Sequence, residues 1–141
     1  MSTSEKNIDG YISYALAAAH RAVQQSLSAR LKKHGLQIEA WRVMELLDSD
    51  DRLTMGELAR RGLINPPTLS KLVDRMVSNG LVHRQVSLKD QRQVNLLLTD
   101  YGRNTMLKVR GEVADQDRQI AGMLDEQDSQ NLVRMLSALV Q

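Results

Sequence analysis

The chain has 141 residues, 42% hydrophobic and 26% charged, which is the composition of one soluble globular domain and not of a disordered chain. Cysteine is absent, which excludes disulfides, thiol nucleophiles, thiol redox sensing and cysteine-based zinc sites; no apolar run is long enough for a bilayer and no leader is visible, so the expected compartment is cytoplasmic. The net charge of +2 hides an uneven distribution: residues 51–103 carry nine Lys/Arg against five Asp/Glu, while the flanks are balanced or acidic, so the middle offers either a phosphate-facing surface or a merely solvated one.

Aromatics are few (Trp41, Tyr11, Tyr14, Tyr101, no Phe), and a core built from Leu, Val, Met and Ala predicts packed helices. Apolar residues Ile8, Tyr11, Ile12, Ala15, Leu16, Ala19, Val23, Leu27 and Leu31 recur at the i, i+3, i+4 spacing of one helical stripe, which predicts one continuous helix stopped at Gly35. At about 27 residues it would run about 40 Å, longer than a compact domain of this size, so part of its stripe would meet a second chain. A second helix is predicted near Ile38 to Leu47. Thr54 with Glu57 reads as a capping box opening a short helix that Gly62 breaks. Asn65-Pro66-Pro67 then starts a helix to about Ser78, closed by Asn79-Gly80.

After Gly80 the period drops to two around Val82 and Val86, and again around Val94, Leu96 and Leu98, which predicts a hairpin connected by 87–92. Helical spacing resumes at Asp100 through Met106, Val109, Val113, Ile120 and Leu124. Asp125 caps a last helix bearing Leu132, Met135, Leu136 and Leu139. The expected fold class is mainly α with a small β-wing: a helix-turn-helix followed by a hairpin, flanked by long terminal helices.

On the helix beginning at Pro66, Leu69, Leu72, Val73 and Met76 share one arc about 100° wide, while Pro67, Ser70, Lys71, Asp74 and Ser78 point the opposite way. Such a face is short, polar and partly cationic, as a helix entering a DNA major groove must be. Asn65, Pro67, Thr68, Ser70, Lys71 and Arg75 are the helix candidates for DNA binding. Asp74 is expected to pair with Lys71 or Arg75. On the hairpin the candidates are Arg84, Lys89, Asp90 and Arg92, with Asp90 close enough to hold Arg92 in one rotamer toward a minor groove or phosphate.

Taken together, Leu53-Thr54-Met55-Gly56-Glu57-Leu58-Ala59, Pro67-Thr68-Leu69-Ser70-Lys71-Leu72-Val73-Asp74-Arg75-Met76, Gly80-Leu81-Val82-His83-Arg84, Asp90-Gln91-Arg92 and Leu98-Thr99-Asp100-Tyr101-Gly102 resemble the MarR family of winged-helix transcriptional regulators. The resemblance implies a homodimer with interlaced terminal helices, a recognition helix at Pro66 to Ser78, and a wing whose Asp90 and Arg92 form the family's Asp-x-Arg element. Gln91 stands where the family often has arginine, and the double proline is unusual. The division implied is a single domain over 1–141, with 5–34 and 104–141 as dimerisation helices and 36–103 as the winged DNA-binding region.

Many members of that family respond to an aromatic acid or phenol between the dimerisation helices and the winged region; Tyr11, Tyr14, Arg21, Trp41 and Arg42 are the candidates for such a ligand by type and position. His20, His34 and His83 lie too far apart in sequence to suggest a metal site, and no nucleophile-base pair or phosphate loop suggests an enzyme or a cofactor. The expected function is a dimeric, sequence-specific DNA-binding repressor reading a pseudo-palindromic operator in double-stranded DNA, released by a small aromatic or phenolic effector, with no membrane partner. The alternative is a low-specificity architectural DNA-binding protein.

Overall fold

The computed structural model describes residues 7–49, 53–86 and 94–140. Helix α1 (Ile12–Lys32) is followed by α2 (Ile38–Ser49), α3 (Met55–Gly62) and α4 (Pro66–Ser78); a two-stranded sheet, β1 (Val82–Val86) and β2 (Val94–Leu98), precedes α5 (Asp100–Gly122) and α6 (Glu126–Ala138). The strands are antiparallel, with Val82 opposite Leu98 and Arg84 opposite Leu96. This is the expected mainly helical fold with a small β-wing.

Its core is formed where the helices converge. Leu31 of α1, Val43 and Met44 of α2, Leu58 of α3, Leu69 and Val73 of α4, and Met106 and Val109 of α5 are fully or almost fully buried, joined by Val82 and Leu96 from the sheet. The apolar arc predicted for α4 is the one that is buried. The hairpin is thereby anchored by its base, with its connection at 87–93 outside the described residues.

Two boundaries differ from expectation. The first helix does not run from Ile8: Ile8–Gly10 form a 3₁₀ turn, closed by Gly10 N–H to Asn7 C=O at 2.8 Å, and Tyr11 is extended at φ −86, ψ 136. The apolar stripe crosses this turn, which is why periodicity alone joins the two. The helix proper has 21 residues and is about 31 Å long, so length no longer argues for a second chain. Along it Ile12, Leu16 and Val23 face solvent, and of the stripe only Leu27 and Leu31 reach the core. Similarly, α6 buries none of its residues.

Helix α3 ends at Gly62, as expected, but Gly62 does not make the turn. It is the last helical residue and is buried; a Cβ there would stand 3.2 Å from Cδ1 of Ile64. The left-handed position falls on Leu63, at φ 60, whose N–H reaches back to the carbonyl of Arg60. Glycine serves close packing here, and the turn is made by a leucine. Leu124, counted with the preceding helix in the sequence, lies in the turn after α5 ends at Gly122.

Candidate nucleic-acid interface

Helix α4 is set by its caps. Asn65 Oδ1 accepts from the Thr68 N–H at 3.3 Å and from the Thr68 hydroxyl at 3.3 Å. Pro66 and Pro67 occupy the first two helical positions, where a missing N–H costs nothing. Two of the amides that a helix N-terminus would aim at a phosphate are therefore absent, the third is held by Asn65 Oδ1, and the Leu69 N–H is bonded to the Asn65 carbonyl. This helix can read DNA only through its side chains. Asn65, Pro67 and Thr68 are exposed as expected, but Asn65 and Thr68 are partly committed to the cap.

Further along, Ser70 and Lys71 are exposed without a partner among the described residues, and Arg75 is exposed with a long hydrogen bond of 3.4 Å from Nη2 to Gln37 Oε1. Asp74 pairs with neither Lys71 nor Arg75. Its Oδ1 accepts from Arg84 Nη2 at 2.5 Å, so α4 is tied to β1. The reason is register: Arg84 shares a face of the hairpin with Val82 and the opposed Leu96, both buried, and that face turns toward the helices. Lys89, Asp90 and Arg92 lie outside the described residues.

Two further cations, not singled out by any motif, belong to the same region. Arg60 and Arg61 are exposed in the last turn of α3, opposite its buried Leu58 and Ala59. Their only sequence signal is the basic excess of the middle segment.

The capping box at Thr54 is half realised: Thr54 Oγ1 accepts from the Glu57 N–H at 3.1 Å, but the Glu57 carboxylate accepts from the Thr54 hydroxyl at 3.2 Å rather than reaching the backbone. At the end of α4, Thr99 makes a second joint. Its hydroxyl donates to the Gly80 carbonyl at 2.5 Å and accepts from the Gly102 N–H at 2.9 Å, so one side chain caps α5 and holds the turn that leaves α4.

The five ligand candidates are not gathered into one described depression. Arg21 lines an open one along α1 with His20, Gln24, Gln25, Ser28 and Lys32, but Tyr11, Tyr14, Trp41 and Arg42 do not. Trp41 Nε1 donates to Glu45 Oε1 at 3.2 Å, and Arg42 Nη1 donates to the Gly62 carbonyl at 3.5 Å. Glu45 belongs to a network unforeseen in the sequence: Arg110 donates through Nε and Nη2 to both Glu45 oxygens at 3.0 and 2.9 Å and through Nη2 to Asp48 at 3.2 Å, while Arg103 reaches Asp48 at 2.7 Å. The Arg110 hydrogen bond, with Arg103 adding to it against partial burial, holds the Asp48 carboxyl below its ordinary value. Among the described residues no group of three or more His, Asp or Glu could hold a metal, and no helix is long and apolar enough to cross a membrane.

Residues 34–93, which span α2, the helix-turn-helix and most of the hairpin, match the model of the MarR family. A transcriptional repressor, CouR, solved bound to a 23-mer DNA duplex, superposes with a TM-score of 0.88 at 25% identity, covering 97% of this chain and 99% of that one. The winged-helix segment of the chain thus matches the MarR family. Relatives of the chain include the homoprotocatechuate degradative operon repressor of Escherichia coli, 26% identical over 92% of this chain and 87% of the relative. Another is the transcriptional repressor IacR of Pseudomonas putida, 27% identical over 89% of this chain and 75% of the relative. The chain has the winged helix-turn-helix fold of MarR-family transcriptional regulators and is similar to them along most of its length.

Proposed function

We propose that this chain is a homodimeric MarR-family repressor that reads a pseudo-palindromic operator, with residues 36–103 as the reading head and residues 5–34 and 104–141 as dimerisation helices. The observation that carries the reading is α4 itself: one arc is locked into the core through Leu69, Val73 and Met76, and the opposite arc presents Ser70, Lys71 and Arg75 to solvent. Two such helices related by a dyad would enter successive major grooves, with half-sites about 10 bp apart. Lys89, Asp90 and Arg92 would extend the contact into the flanking minor groove. The exposed apolar stripes of α1 and α6 support the pairing of two chains.

The reading includes release of the operator by a small aromatic or phenolic acid, held near Tyr11, Tyr14, Arg21, Trp41 and Arg42 once two chains close the site. The name of the Escherichia coli relative, which ties it to an operon degrading homoprotocatechuate, supports this ligand class. Such release requires that the acid bind one arrangement of the two reading heads better than the other.

The test is selection of a duplex from a randomised pool, followed by mobility shift of wild type and Lys71→Ala over a salt series. Wild type should bind the selected duplex with a steep salt dependence. Lys71→Ala should weaken binding several-fold and reduce the slope of log K against log salt by about one if the lysine meets a phosphate. A wild-type protein that selects no sequence and shows no salt dependence overturns the reading.

A further inference from the structure

The ion pair between Asp74 and Arg84 links the two parts of the reading head, and its placement bears on how the protein separates its operator from other DNA. Asp74 is the sole acidic residue of α4 and stands on its solvent arc, one turn beyond Ser70 and Lys71. A lone carboxylate on a surface meant for phosphates opposes binding to every sequence alike. Arg84 leaves β1 on the face turned toward the helices, and its Nη2 is 2.5 Å from Asp74 Oδ1, with the two side chains 44% and 67% exposed. The arginine is thus not an idle partner of a buried charge. It is a solvent-accessible cation already engaged by a carboxylate of α4 and so less free to meet a phosphate.

We infer that Asp74 is a specificity-determining positioning residue: by holding Arg84 against α4 it keeps one cation from neutralising phosphates indiscriminately and fixes the wing root relative to the recognition helix. The inference rests on the DNA-binding reading given above. Its physics is a difference of affinities. Freeing Arg84 adds a counterion-releasing contact available on any duplex, whereas the operator gains less because the wing root loses its brace.

Two probes separate the outcomes: the duplex selected from a randomised pool by the wild-type protein, and a scrambled duplex of the same composition, each titrated over a salt series. Asp74→Ala should tighten binding to the scrambled duplex about three-fold at low salt, the order of one exposed ion pair. Its slope of log K against log salt should steepen by about 0.9. Binding to the selected duplex should gain less, so the specificity ratio falls. Asp74→Glu should restore the wild-type ratio, and adding Arg84→Ala to Asp74→Ala should remove the extra slope. Both positions are exposed, and unchanged thermal melting confirms that the variants are folded. An unaltered slope, or an equal change on both duplexes, overturns the inference while leaving DNA binding intact. Failure of the wild-type protein to bind either duplex at low salt removes the DNA reading and this inference with it.

Discussion

A Cβ at Gly102 would overlap the carbonyl oxygen of Leu81 and stand 2.9 Å from its carbonyl carbon. The same Leu81 carbonyl accepts the Thr99 N–H at 3.1 Å, so neither partner can retreat without loosening the joint between α4 and α5. Gly102→Ala is therefore expected to destabilise the fold by about 2 kcal/mol or more and to lower the melting temperature by at least about 5 °C. Gly111, also in α5, is exposed, and a Cβ there would meet nothing within 4 Å. At that position the same change should raise stability by about 0.5–1 kcal/mol, since alanine loses less backbone entropy in a helix. Opposite signs in thermal unfolding followed by circular dichroism check both; an indifferent Gly102 would mean that the Leu81 contact does not constrain the joint.

At the scale of elements, what could be read in the sequence was what is encoded locally. Asn65, Asp125 and the Asn79-Gly80 exit bound their helices because caps act over three or four residues, and the arc of Leu69, Leu72, Val73 and Met76 is buried because helical spacing alone places it. What was missed depends on packing between distant segments. Asp74 and Arg84 meet because the sheet register puts Arg84 on the face turned toward the helices, and Arg110 meets Glu45 across 65 positions because α5 lies along α2. The failure at Ile8 has the opposite origin, a local turn that leaves the periodicity undisturbed.

The α2–α5 network also carries a pH dependence of known sign. The carboxyl of Asp48 is held below its ordinary value by Arg110 and then Arg103, so its contribution to stability is present above the unfolded carboxylate range and is lost as pH falls through the lower folded value. Arg110 is itself 45% exposed, so solvent screening limits the pairing to about 1 kcal/mol. Arg110→Met should be less stable than wild type by about that amount near neutrality, with the gap narrowing below about pH 4. Denaturant melts at several pH values measure it, and a gap that stays constant into acid would deny Asp48 this part.

For the whole molecule, the winged core and the terminal helices differ in how their apolar surface is covered. The core side chains of α2, α3, α4 and the sheet are buried within one chain, whereas Ile12 is 72% exposed, Leu139 is 63% exposed, and Leu16, Val23, Met135 and Leu136 also face solvent. Along α6 and its C-cap, Leu132, Met135, Leu136 and Leu139 fall on one arc at steps of three and one, and all but the half-buried Leu132 face solvent. Contiguous apolar surface of this kind marks an association site, and a second copy of the chain is the occupant that the proposed operator symmetry requires. Leu136→Lys places a charge in the middle of that arc without touching the buried core, so the variant should retain its cooperative melt. Sedimentation should then show wild type at twice the chain mass at micromolar concentration and the variant at the single mass. Because two linked reading heads bind far more tightly than one, the variant's affinity for the selected duplex should fall by about a hundred-fold or more. A wild-type protein that sediments as a single chain and still binds that duplex tightly would sever the link drawn here between the open terminal faces and DNA reading.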